Sequence, residues 1–301
     1  MNIYDIIIIG GGPAGLTAAV YALRANKSVL VMEKGTFGGQ ITSSPKVENI
    51  PGFSMVSGNE FADKLMEQAM SLGADIECLE ALSVTDGDLK KVTTDEGDYY
   101  AKAVIIAAGT RHRLLNLPKE EDFIGNGISF CAVCDGAFYN GKTVAVIGGG
   151  NSALQEAILL SETCEKVYIV QNLDYFTGEE KLIEEIKTIP NITPITGAVV
   201  TSFLGDESLT GIRIQSSGGE ETLALNGMFT AIGLIPELEA FSSLINVNSY
   251  GYADSSEDCT TNVDGIFVAG DCRSKRIRQV ATAVSDGAVA ALAAVDYIKT
   301  L

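Results

Sequence analysis

The sequence predicts an α/β fold with two Rossmann-like, three-layer dinucleotide-binding domains, and three observations predict it. A continuous apolar run at 4–9, the pattern of a strand buried on both faces, feeds the loop Gly10-Gly11-Gly12-Pro13-Ala14-Gly15. The same grammar returns 138 residues later, where a run at 142–147 feeds Gly148-Gly149-Gly150-Asn151-Ser152-Ala153. A third apolar strand, Gly265-Ile266-Phe267-Val268, ends in Ala269-Gly270-Asp271 and must belong to one of the two folds.

The first loop lies in a complete βαβ unit. A helical pattern covers 16–25, a strand 28–32, and Glu33 comes next, about 20 residues beyond the loop. Each position has a physical task. Gly10 makes the tight turn, Gly12 lets backbone approach a pyrophosphate, and Gly15 lets helix and strand pack closely. The helix N-terminus, entered through Pro13 and Ala14, faces the phosphates. Glu33 is placed to take the ribose hydroxyls. The second unit continues with a helix at 153–163 and a strand at 166–170. Near the C-terminus, Arg278, Gln279 and Val280 open a long Ala-rich helix running to Lys299.

The bulk properties set limits. With 301 residues the chain is long enough for one large domain or two medium ones, and 46 % hydrophobic and 20 % charged residues is an ordinary globular balance. A formal charge of −18 argues against nucleic acid and anionic membrane surfaces as partners. No stretch reaches the ~18 apolar residues of a membrane span. The N-terminus shows no basic n-region, so the expectation is no signal peptide and a cytoplasmic protein. Of the six cysteines only Cys131 and Cys134 form a tight pair, which in a reducing compartment reads as redox-active or metal-binding. With a single histidine, His112, and the other cysteines scattered, a four-ligand zinc site is disfavoured, and no metal is expected.

Taken together, GGGPAG at 10–15, GGQIT at 38–42, ENIPGF at 48–53, CAVCDGAF at 131–138, GGGNSA at 148–153, GIFVAGD at 265–271 and RQVATA at 278–283 resemble the low-molecular-weight thioredoxin reductases, FAD-containing disulfide oxidoreductases, over nearly the whole chain. The resemblance implies a discontinuous FAD-binding domain, residues 1–113 and 242–301, with an inserted pyridine-nucleotide-like domain, 114–241, carrying the cysteines. It implies FAD contacts at Gly39, Gln40, Asn49, Gly109, Gly270, Asp271, Arg278, Gln279 and Val280, besides the first glycine loop. It also implies a homodimer and thioredoxin, or a thioredoxin-like protein, as partner. Physical reasoning supports part of this. Gly38 and Gly39 let the chain pass close to a flat ring, Asp271 ends a parallel strand where open α/β sheets bind ligands, and the N-terminus of the Ala-rich helix offers partial positive charge.

Cys131-Ala132-Val133-Cys134-Asp135 carries the expected chemistry. The two-residue spacer holds two sulfurs within bonding reach, and electrons pass from flavin to this disulfide and then by thiol–disulfide exchange to a partner. The resemblance makes Cys134 the sulfur nearest the flavin and Cys131 the one that attacks the partner. Asp135 is a candidate proton donor and acceptor, although Asp135-Gly136 is also a turn dipeptide and the aspartate can cap the adjoining turn. Cys78, Cys164, Cys259 and Cys272 read as small hydrophobes in or near strands.

One expected feature is missing. NADPH-using relatives carry an H-R-R-x-x-x-R pattern after the second strand of the inserted domain. Here those positions hold Gln171, Asn172, Leu173 and Thr177. The carboxylate that NADH requires is replaced by Gln171, and Asp174 comes three residues late. The chain therefore looks closest to the nicotinamide-independent branch, whose donor is reduced ferredoxin. The alternatives are an NAD(P)H-dependent reductase with an unusual nucleotide site, an oxygen-using dithiol oxidase, and a flavoprotein redox sensor. Arg273, Lys275, Arg276 and Arg278 put four cations in six residues, a candidate ferredoxin-docking patch.

Overall fold

The computed structural model describes residues 3–44 and 47–301, and the chain divides into two compact units, 1–111 with 235–301, and 112–234. The expected boundaries were 113/114 and 241/242. The second lies earlier because Leu238 and Phe241 are buried in the apolar core of the first unit, together with Val92, Ile106 and Val268.

The first unit is built on a seven-stranded sheet ordered Asp75–Glu77, Val29–Met32, Ile3–Ile9, Asp98–Ile106, Lys90–Thr94, Ala81–Thr85. Ile266–Val268 pairs in parallel with Asp98–Ile106, which assigns the third apolar strand to this unit. The central strand is in register Ile6↔Val29 on one side and Ile7↔Val104 on the other. Both of its faces are covered. Ile6 and Ile8 lie under the helices Pro13–Arg24 and Val280–Ile298, and Ile7 and Ile9 face the second core. Val280–Ile298 is the one helix among the described residues long and apolar enough to cross a membrane, and its Ala290, Ala291, Ala294 and Val295 are buried in this core.

The second unit repeats the plan with an all-parallel five-stranded sheet ordered Ile192–Ile195, Lys166–Val170, Thr143–Ile147, Gly227–Thr230, Ile128–Ser129. A three-stranded antiparallel sheet, Val199–Gly205, Leu209–Ser216 and Gly219–Ala224, adds to it. Parallel pairing puts the C-terminal ends of all five strands on one edge. The loop after Ile128–Ser129, which carries Cys131 and Cys134, and the loop after Thr143–Ile147, which carries the second glycine motif, therefore emerge on the same edge.

Candidate functional site

In the first unit, backbone crowding forces the glycines. Gly10 has φ +111°, and a Cβ there would lie 2.3 Å from the Ala107 carbonyl oxygen. A Cβ on Gly15 would lie 1.9 Å from the Gly10 carbonyl oxygen, so no side chain fits between turn and helix. Around Gly12 the space is open, with nothing nearer than 3.9 Å. The next helix starts at Pro13 with Ala14 behind it. It has no side-chain cap and no acid in its first turn, so its N–H groups remain available to an anion. Glu33 is aimed back at the loop, its carboxylate accepting hydrogen bonds from the Gly11 and Gly35 amides at 2.8 and 2.9 Å. A cavity of about 290 Å³ opens here, lined among others by Gly10, Met32, Glu33, Leu79, Ala108 and Phe241. It lies at the carboxyl ends of the strands, where this fold class takes its ligand. An uncapped helix end, an unfilled approach at Gly12, a carboxylate and a cavity together fit the adenosine diphosphate half of FAD.

Of the other expected FAD residues, Gly39 and Gly270 lie against the same loop, at Gly12 and Ala14. The Gly38 amide donates to the Gly11 carbonyl at 2.8 Å, and Gly39 approaches so closely that a Cβ on it would stand 3.3 Å from the Gly12 Cα. The Gln40 amide group bonds the Thr110 carbonyl, next to Gly109. Asn49 donates to the Gln279 side chain at 3.0 Å. Gln279 caps the helix beginning at Val280 through a reciprocal pair with Thr282. Gly270 (φ +82°) donates its amide to Asp286.

The candidate docking patch is corrected by the structure. Arg273 is buried and forks onto both carboxylate oxygens of Asp286, at 3.1 Å each. The Lys275 ammonium lies 2.9 Å from Asp286 and 3.3 Å from Asp271 Oδ1. Arg278 stacks on the Tyr252 ring at 4.0 Å and donates to the Asp271 and Arg273 carbonyls. Three of the four cations are therefore held inside the unit, and Arg276 alone stands exposed. What the run builds is a rigid ionic support for the Gly270–Cys272 turn. Asp271 itself is half-buried, and desolvation raises its carboxyl above the usual range against the pull of Lys275. Asp286, the hub of this support, had no signal in the sequence beyond being one of two acids in an Ala-rich helix.

In the second unit Cys131 and Cys134 are disulfide-bonded with Cα atoms 5.3 Å apart. Cys131 starts a single helical turn, Ala132–Asp135, and its sulfur accepts the Cys134 amide at 3.2 Å. Asp135 caps no turn, contrary to the alternative reading. Its Oδ2 instead accepts a hydrogen bond from the Ser129 hydroxyl at 2.6 Å, and its buried Oδ1 has no partner among the described residues. Burial raises its pKa, opposed by the Ser129 bond. A carboxyl that prefers its proton, next to a disulfide, is suited to giving that proton up when a thiolate forms.

His112 opens the second unit, stacked on Phe130 at 4.3 Å, and burial lowers its pKa to about 4. Cys164, Cys259 and Cys272 are buried as expected, whereas Cys78, just past the Asp75–Glu77 strand, is exposed. Among the described residues no cluster of three or more histidine, cysteine or acidic side chains is placed to hold a metal.

The two glycine loops differ in the residues beyond the second strand of each unit. In the second unit Gln171 is buried against Gly149, its Oε1 accepting the next amide, that of Asn172. The Thr177 hydroxyl donates inward to the Gly149 carbonyl at 3.2 Å. Asn172 and Leu173 are exposed and neutral. Asp174 points instead at Gly197, where a Cβ would stand 2.5 Å from its Oδ1. Between 171 and 180 the chain has three carboxylates, Asp174, Glu179 and Glu180, and no cation.

The profile of the pyridine nucleotide-disulphide oxidoreductases matches residues 4–287. Across 98 % of this chain and 97 % of the relative, 42 % of residues are identical to the "34.2 kDa protein in rubredoxin operon" of Clostridium pasteurianum. Identity to the thioredoxin reductase of Listeria monocytogenes is 39 %, over 100 % of this chain and 95 % of that one. The crystal structure of thioredoxin reductase from Streptococcus pyogenes superposes with a TM-score of 0.94 at 36 % identity, covering 99 % of each chain. The chain therefore belongs to the pyridine nucleotide-disulphide oxidoreductase family, on its thioredoxin reductase branch, and is an FAD-dependent enzyme.

Proposed function

We propose that this protein reduces thioredoxin, or a thioredoxin-like protein, through Cys131 and Cys134, and that reduced ferredoxin rather than a nicotinamide refills its flavin. The observation that carries the donor assignment is the neutral and acidic 171–180 segment beside the second glycine loop. A 2′-phosphate held by basic side chains gains about 1.5–3 kcal/mol from each charge-assisted bond. Here every such bond is absent, and the nearest charges, Asp174, Glu179 and Glu180, repel a phosphate. A 2′,3′-diol fares no better, because Gln171 is buried under Gly149 where a free carboxylate is needed.

Bound FAD supplies a centre that takes electrons singly and passes them on in pairs. The first unit's residues would hold it. Glu33 would take the ribose, the Gly10–Gly15 loop and helix start would take the pyrophosphate, and the Asp271 turn, stiffened by Asp286, would take the chain beyond. Reduction of the disulfide breaks the S–S bond and takes up two electrons and two protons, of which Asp135 gives one and solvent the other. Cys131 then attacks the disulfide of thioredoxin, and Cys134 resolves the mixed disulfide, returning the enzyme to its oxidised form. Two further expectations belong to this reading: a homodimer, and a place in the cytoplasm, where the dithiol is kept cycling.

An anaerobic titration tests the reading. The flavin is expected to keep its visible absorbance with excess NADPH or NADH, to bleach with reduced ferredoxin, and to recover when oxidised thioredoxin is added. Rapid bleaching by either nicotinamide overturns the donor. Oxygen uptake with small dithiols and no transfer to thioredoxin makes the protein a dithiol oxidase instead.

A further inference from the structure

The dithiol turn packs on the second crossover helix, Asn151–Ser161, where Ala132 shares a core with Ala153, Leu154, Ala157 and Leu160. On that helix Glu156 interrupts the apolar surface. Its carboxyl lies near the backbone N–H of Ala132, the amide next to Cys131, and its Oε2 is buried with no partner among the described residues. An isolated buried carboxylate is costly in an apolar core, and a glutamine of the same shape would avoid the charge.

We propose that Glu156 is a positioning residue of the redox pair, which holds the peptide at Cys131 and whose ionisation is coupled to that of the Cys131 thiol. The inference rests on the dithiol being the redox centre. When the S–S bond breaks, two electrons and one proton, given by Asp135, leave one thiol and one thiolate. Glu156 keeps its own proton, so that the thiolate does not stand beside a second buried anion, and solvent later supplies the second proton. As the Cys131 thiolate forms, Glu156 retains its proton. When Glu156 ionises, the thiol becomes harder to ionise.

Burial pushes the Glu156 pKa to about 7, against the Ala132 amide, which lowers it. The other titratable groups packed nearby are few. The dithiol turn and the short helix after it contribute Cys131, Cys134, Asp135 and Tyr139, and Tyr139 is itself raised by burial and by Asp135. The strand Lys166–Val170 contributes Lys166, over the Tyr168 ring at 4.5 Å. The helix Glu180–Thr188 bears Glu180, Lys181, Glu184, Glu185 and Lys187, all exposed and screened by solvent.

The test measures alkylation of Cys131 by iodoacetamide in the pre-reduced, FAD-loaded enzyme across pH, quantified by peptide mass spectrometry. Wild type is expected to show two inflections, one of them near neutrality. Glu156→Gln keeps the amide contact and is expected to show a single inflection, with the thiol more acidic by about one pH unit and alkylation at neutral pH up to about tenfold faster. Superimposable profiles of the two proteins overturn the proposal. Should Glu156→Gln fail to fold, wild type and Asp135→Asn decide. The neutral inflection must survive in Asp135→Asn, and its loss there, or its absence from wild type, overturns the proposal. Thioredoxin reduction by wild type, measured separately, tests the parent reading without touching this one.

Discussion

Asp135 and Glu156 show how much one side chain's surroundings decide. Both are carboxyls that burial has pushed toward their protonated forms, beside one disulfide turn. A carboxyl whose folded pKa is raised contributes its stability at low pH and loses it as pH climbs from its unfolded value to the folded one. For Glu156 that window runs from 4.5 to about 7. The thermal midpoint is therefore expected to fall as pH rises through this window. In Asp135→Asn the midpoint at neutral pH should rise by a few degrees, while thioredoxin reduction slows about a hundredfold; differential scanning calorimetry and a turnover assay check the two halves. The ionic support gives a second residue-scale prediction. Lys275→Glu puts a third carboxylate against Asp271 and Asp286, breaking a buried network at a cost of about 3–5 kcal/mol. It should purify with little FAD. Arg276→Glu, at an exposed position, should keep its full complement of FAD.

At the scale of elements, the two glycine loops share a backbone plan and part ways at the ends of the neighbouring strands. In the first unit, Glu33 reaches back to the loop, whereas in the second Gln171 lies buried beneath it. The exposed positions nevertheless remain free to change. Asn172→Arg, Leu173→Arg and Thr177→Arg combined should restore flavin reduction by NADPH, each cation adding about tenfold or more in apparent affinity. Anaerobic stopped-flow measurements of flavin bleaching check this, and an unresponsive triple variant would show that more than the missing cations blocks the site.

For the whole molecule, the charge of −18 governs encounters. With Arg273, Lys275 and Arg278 tied up internally, no cationic run is left to offset it in the 273–278 segment. An acidic ferredoxin and this enzyme then repel at long range, and added salt screens the repulsion. The second-order rate of flavin reduction by ferredoxin should rise with ionic strength up to moderate salt. A rate that falls steeply would mean that a cationic surface elsewhere guides the donor.

Much of this protein was legible in its sequence because the features concerned are local. Strand–glycine–helix units, the acid at Glu33 and the two-residue cysteine spacer are set by neighbours along the chain, and so was the absence of basic residues after the second unit's strand. Other features need residues far apart in sequence to meet. Asp286 supports Asp271 and Arg273 only because the last helix packs beside the Gly270 turn, and that contact turned an apparent docking patch into an internal ionic support. Asp135 bonds Ser129 instead of capping a turn. Glu156 lies in an ordinary helical pattern, and only the packing of the dithiol turn against that helix strips it of water. Sequence alone determined the fold class and pointed to the cysteine pair that is found bonded, since both are written in short-range patterns. Which charges are buried, and so which carboxyls hold protons and which cations are free to meet a partner, was decided by the tertiary structure alone, because desolvation depends on what packs across space.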